Sequence, residues 1–167
     1  MSISLDPPLD VELDTVLPRA CLALDTQVLV AIAAGLAEVS SPSDLRPGGA
    51  TSERQYERIL ATETYEAWLI HWPAGTGLDL HDHGDSAGAF AVVEGELDET
   101  TIEDGRARVR RVPAGNHSSF GAGQVHGVAN TGQRPATSVH VYSPPLESMN
   151  FYVGGVFDST SVRALWS

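Results

Sequence analysis

Residues 81–95, HDHGDSAGAFAVVEG, decide the fold and the site of this chain. His81 and His83 are separated by one residue, so on a β-strand both imidazoles lie on the same face and can reach one metal ion. Gly75 lies six residues before His81, and Gly95 closes the apolar run that follows with a turn. The stretch therefore predicts a metal site at the mouth of a β-barrel.

A third ligand has to come from elsewhere, and His126, within GAGQVHGVAN at 121–130, is the leading candidate. A His-x-His pair followed well downstream by a lone histidine is the cupin pattern. Cupins normally place a carboxylate ligand four or five positions after the second histidine, where this chain has Ala87 and Gly88, and Asp85 follows too closely. The sequence thus predicts a neutral three-imidazole set, which leaves the metal its 2+ charge and open positions, unlike the 2-His-1-carboxylate triad.

Composition limits the class of protein. The 167 residues, 42% of them hydrophobic, suffice for one well-buried domain. The net charge of −12 disfavours nucleic acid and anionic membranes as partners, and no apolar run is long enough to predict a transmembrane helix. Cys21 is the single cysteine and the first residues lack a basic segment, so we expect a reducing cytoplasm and no signal peptide. We expect a monomer or a weak homo-oligomer.

The chain changes character once. Apolar residues at three- and four-residue steps predict helix within residues 10–40, with Thr26 as its cap, and Pro47-Gly-Gly falls in the loop that follows. Short alternating runs come next, and Asp104-Gly105 predicts a hairpin turn. We therefore predict an all-β fold, a single jelly-roll-like cupin barrel over 51–167, with a short helical segment in 1–50 packed on it. The predicted strands are 56–61, 65–72, 89–93, 106–112, 138–143 and 150–156.

Ser138, His140 and Tyr142 alternate along one predicted strand and share a face. If that face is the barrel interior, a hydroxyl, an imidazole and a phenol form a hydrogen-bonding line toward the metal and hold a proton near it. If Val139 and Val141 are the core instead, the polar face is turned to solvent.

From about residue 56 to 145 the sequence resembles the cysteine dioxygenase (thiol dioxygenase) family. The resemblance is carried by the stretches 81–86, 94–100, 125–130 and 138–145. It implies an Fe(II) enzyme that adds both atoms of O2 to a thiol sulfur, with His81, His83 and His126 as ligands. It also implies a cis peptide bond before Pro144. Animal members carry, at the position of Gly88, a cysteine that crosslinks to the tyrosine matching Tyr142; many bacterial members have glycine, and no such crosslink is possible here.

The substrate prediction rests on Arg58, which shares a strand face with Tyr56. A guanidinium inside a barrel needs an anion, and Glu57, its one evident local partner, points the other way. A substrate carboxylate is the natural partner, with Tyr56 beside it. In the resembled family, arginine here is associated with cysteine and glutamine with 3-mercaptopropionate. An offset in the alignment would exchange Arg58 for Arg54, and either could instead lie on the surface.

Two classes of function remain open at this point. The first is an iron-dependent dioxygenase of L-cysteine, 3-mercaptopropionate or another small thiol. The second is a metal cupin without oxygenase activity, such as a binding domain or an isomerase. Ser138, His140, Tyr142 and Arg58 together favour the first, because a generic binding cupin has no use for that set. His71 and His117 are predicted to be a barrel-wall residue and a solvated loop residue.

Overall fold

A computed structural model describes residues 23–44, 52–154 and 156–162. These contain one α-helix, α1 (Thr26–Val39), and a short 3-10 turn at Pro42–Asp44. The strands are β1 (Gln55–Ala61), β2 (Glu66–Trp72), β3 (Gly77–Asp82), β4 (Ala87–Glu94), β5 (Glu96–Glu103), β6 (Arg106–Pro113), β7 (His117–Phe120), β8 (His126–Ala129), β9 (Ala136–Ser143), β10 (Ser148–Val153) and β11 (Val156–Val162).

The strands form two antiparallel sheets, one of five strands in the order β1-β2-β9-β4-β7 and one of six in the order β11-β10-β3-β8-β5-β6. Side chains from both sheets meet in one apolar core, which includes Phe90, Phe120, Leu97 and Val128. Alternation of side chains along each strand puts one face of each sheet into this core. The prediction of an all-β, cupin-like barrel with one helical element is confirmed.

Helix α1 packs on the outer face of the five-stranded sheet. Leu29 and Ala33, one turn apart, are fully buried against Ala89 and Val141. The cap is Asp25 rather than the predicted Thr26, because the Asp25 side chain accepts a hydrogen bond of 2.8 Å from the Gln27 amide. Among the described residues, no helix combines the length and the apolar character that crossing a membrane requires.

The hairpin at Asp104-Gly105 is present. Both residues have positive φ (50° and 70°), as a two-residue turn between β5 and β6 requires. Three details of the predicted elements are wrong. His117 begins β7 instead of lying in a loop, although it is exposed as predicted; the strand predicted for 150–156 ends at Val153; and His83 lies one residue beyond the end of β3.

Several predictions fall outside the described residues. These are the helical pattern before residue 23, Cys21, the Pro47-Gly-Gly loop and the boundary placed between residues 50 and 51.

Candidate metal centre and adjoining pocket

Three buried histidines converge in the barrel. In the ladder between β3 and β8, His81 lies directly opposite His126, and the turn after β3 brings His83 beside them. One ring nitrogen of each histidine lies within 4.8 Å of those of the other two, and His83 Nε2 is 3.1 Å from His126 Nε2. Within the described ranges no Asp, Glu or Cys joins this group. We call His81, His83 and His126 the histidine cluster.

The outward hydrogen bonds of the cluster fix which ring nitrogens face its centre. The Asp79 carbonyl, which can only accept, is 2.6 Å from His81 Nδ1, so that nitrogen carries the proton. Glu99 Oε1 accepts from His126 Nδ1 at 3.0 Å. A neutral imidazole that donates through Nδ1 has its lone pair at Nε2, so lone pairs converge on the middle of the cluster. Such a donor set fits a divalent metal ion.

Burial disfavours the charged form of two of these imidazoles, those of His81 and His83. It lowers the pKa of His81 to about 3, with the neighbouring His126 adding to the effect. Burial and the adjacent histidines also hold the pKa of His83 well below its usual range. Metal ligation requires neutral imidazole, so His81 and His83 are in their binding form at neutral pH without first losing protons.

Glu99 anchors His126 from outside the cluster. This buried carboxylate accepts from His126 Nδ1, from the Ser118 hydroxyl at 2.5 Å and from Arg110 at 3.2 Å. Burial by itself would raise the pKa of Glu99, but the hydrogen bonds from His126, Ser118 and Arg110 hold it below the usual value. No described carboxylate belongs to the histidine cluster, but that of Glu99 lies next to it, hydrogen-bonded to His126.

Asp82, between the two histidines, fixes the turn that carries His83. Its carboxylate accepts from the Gly84 amide at 2.8 Å, and Gly84 has positive φ, 57°. The same carboxylate accepts from Asn150 at 2.8 Å and from the Tyr152 hydroxyl at 2.5 Å. Three donors from two segments thus tie the turn to β10.

Ser138, His140 and Tyr142 lie on the interior face of β9 and are buried. Tyr142 Oη is 3.3 Å from His140 Nδ1, His140 Nε2 is 3.0 Å from Ser138 Oγ, and the Trp72 indole donates to Ser138 Oγ at 2.9 Å. Val139 and Val141, on the other face, are buried under α1, so both faces are core. The Tyr142 ring centre lies 4.8 Å from that of His83, so this hydrogen-bonded line reaches the cluster.

Tyr142 is a protonated donor at neutral pH. Burial raises its pKa above the usual range, the charge of Glu66 adds to the rise, and the Arg54 guanidinium partly opposes it. His140 is neutral, since burial and then the other histidines hold its pKa well below the usual value. The peptide bond between Ser143 and Pro144, at the end of β9, is cis, as the resemblance implies.

A pocket opens beside the cluster. Tyr142 and Phe151 link the two, because each lines the pocket and packs against a cluster ring, His83 and His81 respectively. Other lining residues are Arg54, Tyr56, Trp68 and Leu146. Tyr56 is half exposed and packs edge-on against Trp68 with ring centres 6.0 Å apart. The pocket is thus largely apolar, with one cation, Arg54, and two phenols, those of Tyr56 and Tyr142.

The arginine in the pocket is Arg54. It lies over the Trp72 ring, 5.1 Å from its centre, and burial lowers its pKa. Arg58 does face Trp68, but its guanidinium is 3.5 Å from a carboxylate oxygen of Glu66 and its side chain is 43% exposed. The premise that Arg58 has no local partner except Glu57 is therefore wrong, because the register of β1 on β2 brings Glu66 close to it.

Sequence reasoning missed Glu99, Asp82 and Phe120, which all touch the cluster or its turn. For Glu99 a signal was available, because Leu97 and Glu99 occupy successive inward positions of β5 and an acidic residue there interrupts an apolar face. The role of Asp82 depends on β10, which lies far along the chain. The place of Phe120 depends on how closely β7 approaches β4, which no local pattern encodes.

The comparisons with known proteins agree with this geometry. The family model described as cysteine dioxygenase type I matches residues 49–154. Cysteine dioxygenase type 1 of Danio rerio is 29% identical, covering 65% of this chain and 61% of that protein. The Rattus norvegicus protein of the same name is 25% identical, covering 68% and 63%. The chain thus matches less than two thirds of the length of these curated relatives.

Among solved structures, an uncharacterized conserved protein with a double-stranded beta-helix domain from Klebsiella pneumoniae is similar to this chain. The alignment covers 74% of this chain and 95% of that one, with a TM-score of 0.54 and 22% identity. An oxalate decarboxylase from Lactobacillus farciminis aligns over 74% of this chain and 35% of its own, with a TM-score of 0.53 and 19% identity. At these identities the likeness concerns the fold.

Proposed function

The chain belongs to the cysteine dioxygenase type I family, and from that premise we propose that it is an iron-dependent thiol dioxygenase that oxidises L-cysteine to cysteine sulfinate. One observation carries the proposal: a buried cluster of three imidazoles adjoins a pocket that contains an arginine and a protonated tyrosine. A binding cupin needs the metal ligands but has no need of the other two groups.

The proposed cofactor is Fe(II), held by His81, His83 and His126. Iron there would supply a redox centre at which a thiol and O2 react. The overall reaction is balanced without a further reductant, because both oxygen atoms of O2 end on the sulfur and the thiol supplies all four electrons. Held by these three imidazoles, the iron would keep coordination positions free for the thiol and O2.

We assign the substrate carboxylate to Arg54. No carboxylate of the described residues pairs with Arg54, whereas Arg58 lies beside Glu66. A guanidinium in an apolar pocket is costly without an anion, and a carboxylate satisfies it through two parallel hydrogen bonds. The Trp72 ring beneath the guanidinium limits the orientations that it can adopt. Tyr56 stands at the exposed side of the same pocket, where it can contact the bound thiol.

Tyr142 is assigned to donate a hydrogen bond toward the reacting groups. Its hydroxyl is held by His140, which Ser138 and the Trp72 indole hold in turn. This chain of contacts fixes the phenol beside His83 without a covalent link. Trp68, Ile70 and Leu78 line the same pocket and limit the access of water.

The proposal is tested by comparing kcat/KM for L-cysteine, cysteamine and 3-mercaptopropionate in the wild type, Arg54→Ala and the matched Arg58→Ala. Charge-assisted hydrogen bonds to a carboxylate are worth about 1.5–3 kcal/mol, so Arg54→Ala should lose about ten- to a hundred-fold with L-cysteine. Cysteamine has no carboxylate and should lose little. Arg58→Ala should change none of the three by more than a few-fold.

Each contrary result points to a different error. A selective loss of L-cysteine turnover in Arg58→Ala would show that Arg58, and not Arg54, binds the substrate carboxylate. A wild-type preference for 3-mercaptopropionate or cysteamine would overturn the assignment of L-cysteine as the substrate. Separate samples are loaded with Fe(II), Mn(II) and Co(II), and absence of thiol-dependent O2 uptake in all of them would overturn the dioxygenase assignment. Uptake with Mn(II) or Co(II) but not with Fe(II) would overturn the assignment of iron as the cofactor.

A further inference from the structure

Gly88 and Phe120 compete for one space. The two residues are paired between β4 and β7. A Cβ atom added at Gly88 would lie 2.5 Å from Phe120 Cε2, closer still to Cζ, and 3.0 Å from the Val141 carbonyl oxygen. Real side chains do not approach so closely, and the Phe120 ring is almost fully buried. Glycine at 88 is therefore what admits this ring.

The admitted ring packs against two members of the histidine cluster. Phe120 stacks on His83 with ring centres 4.8 Å apart and planes inclined by 28°. Its centre is 4.3 Å from that of His126 and 6.2 Å from that of Tyr142. Phe120 thus packs against two proposed metal ligands and lies near the proposed hydrogen-bond donor.

His83 needs such a contact more than its neighbours do. A histidine that binds a metal almost always donates its other N–H to a partner, which fixes the ring. His81 has the Asp79 carbonyl and His126 has Glu99. His83 Nδ1 is buried without a hydrogen-bond partner among the described residues. No hydrogen bond at Nδ1 therefore sets the rotation of the His83 ring, whose Nε2 faces His126 Nε2 inside the cluster. On the outer side of the cluster, the flanking aromatic faces remain to hold the ring.

We propose that Phe120 is a positioning residue of the metal centre, whose ring, in place of a hydrogen bond, holds His83 in its ligating orientation, and that Gly88 is required because it makes room for that ring. The inference rests on the proposed function only in that the three histidines bind a divalent metal. On this proposal, Gly88 matters for packing, because a larger residue there would displace the Phe120 ring. This role is separate from the absence of a crosslink at position 88.

The test uses the full metal-free chain titrated with Co(II), whose absorption spectrum reports ligand geometry. Phe120→Leu is compared with Phe90→Leu, because Phe90 is an equally buried phenyl of the same core that stacks on His140 rather than on a ligand. Both variants should unfold at lower temperature. Only Phe120→Leu should weaken Co(II) binding, by about ten- to a hundred-fold, and alter the spectrum.

A second comparison examines Gly88 directly. Gly88→Ala alone should displace the Phe120 ring and weaken Co(II) binding, whereas in the Phe120→Leu background the same change should cost much less. Strictly additive effects of Gly88→Ala and Phe120→Leu would overturn the shared space. If Phe120→Leu folds poorly, Gly88→Ala alone still tests the proposal, because a folded Gly88→Ala chain with the Co(II) affinity and spectrum of the wild type would overturn it.

The outcomes separate the inference from the proposed function. Equal Co(II) affinity and identical spectra in Phe120→Leu, Phe90→Leu and the wild type would overturn the inference. Failure of the wild type to bind Co(II) would overturn it together with the metal centre. Co(II) binding without thiol-dependent O2 uptake by the iron-loaded chain would overturn only the proposed function.

Discussion

At the scale of single residues, each imidazole of the cluster is held outward by a different kind of group. His81 donates to a backbone carbonyl, His126 donates to the Glu99 carboxylate, and His83 is stacked on an aromatic ring. Of these three contacts only that of Glu99 brings a full negative charge next to the metal centre. The carboxylate is buried but is also paired with Arg110 at 3.2 Å, and through its hydrogen bond with Nδ1 it would make His126 a more basic ligand for a bound metal.

Glu99→Gln should therefore weaken metal binding while the fold persists. Glutamine keeps an acceptor for His126 Nδ1 but removes the charge, and changes of this kind cost about ten- to a hundred-fold in metal affinity. The measurement is Fe(II) or Co(II) affinity by competition with a chelator. The matched control is Glu96→Gln on the same strand, a half-exposed carboxylate paired with Arg111. Equal affinities in the two variants would remove Glu99 from the centre.

Tyr142→Phe should lower turnover and leave metal occupancy close to that of the wild type. The hydroxyl contacts His140 and does not belong to the histidine cluster, so its loss removes a donor while the ligands stay in place. The readouts are kcat with L-cysteine and metal content of the same preparation. Loss of metal in this variant would show that the hydroxyl has a structural role instead.

How far these residues are readable from the sequence depends on what encodes them. The pair His81 and His83 is encoded by spacing, and His126 by its place after a glycine-rich turn, so all three could be predicted. Glu99 meets His126 only through the register of β5 on β8. The choice between Arg54 and Arg58 depends on a carboxylate contributed by β2, so the alternation along β1 could not decide it.

At the scale of elements, β4 and β9 bury side chains on both of their faces. Phe90 and His140 face the barrel interior, while Ala89 and Val141 face α1. Small residues on the outer face of β4 let the helix approach closely, and the fully buried Leu29 side chain packs between the helix and the sheet. Helix α1 thus covers the back of the strands that carry Tyr142, without contributing a side chain to the pocket lining.

Leu29→Ala should destabilise the fold and leave the metal centre unchanged. Truncating a fully buried leucine costs about 2–5 kcal/mol, because the cavity closes only in part. Urea unfolding gives the loss, and the Co(II) spectrum reports the centre. Val28→Ala on the same helix, with Val28 46% exposed, should cost less than about 0.5 kcal/mol. A similar cost for both variants would show that the helix is not docked as described.

Strands with an apolar run or a clear alternation could be predicted from the sequence. The apolar run of β2 and the alternation in β9 located those strands to within two residues. The four residues of β7 are too few and too polar to show a period, and β11 has exposed apolar side chains that follow no buried face. The prediction named Thr26 as the N-cap, whereas the structure has Asp25, because both residue types suit that position.

At the scale of the whole molecule, an acidic chain encloses an interior of uncharged histidines. The net charge is −12, whereas His81, His83 and His140 are buried with lowered pKa values. Those imidazoles accept protons readily only when the chain unfolds, where their pKa is about 6.5. Below that pH the unfolded state binds more protons than the folded state, so the free energy of unfolding rises with pH.

We therefore expect the metal-free protein to lose stability as the pH falls below about 6.5, well above the range in which carboxylates titrate. Each histidine that stays neutral in the fold contributes a slope of about 1.4 kcal/mol per pH unit until its folded pKa is reached, which for His81 is about 3. The lowered pKa values of Asp82 and Glu99 act in the same direction, but only at lower pH. Urea unfolding of the metal-free chain at pH 7.5, 6.5, 5.5 and 5.0 measures the slope. His81→Asn should reduce it, and His117→Gln, at an exposed position, should not. A free energy of unfolding that stays constant down to pH 5 would show that the histidines take up protons within the folded barrel.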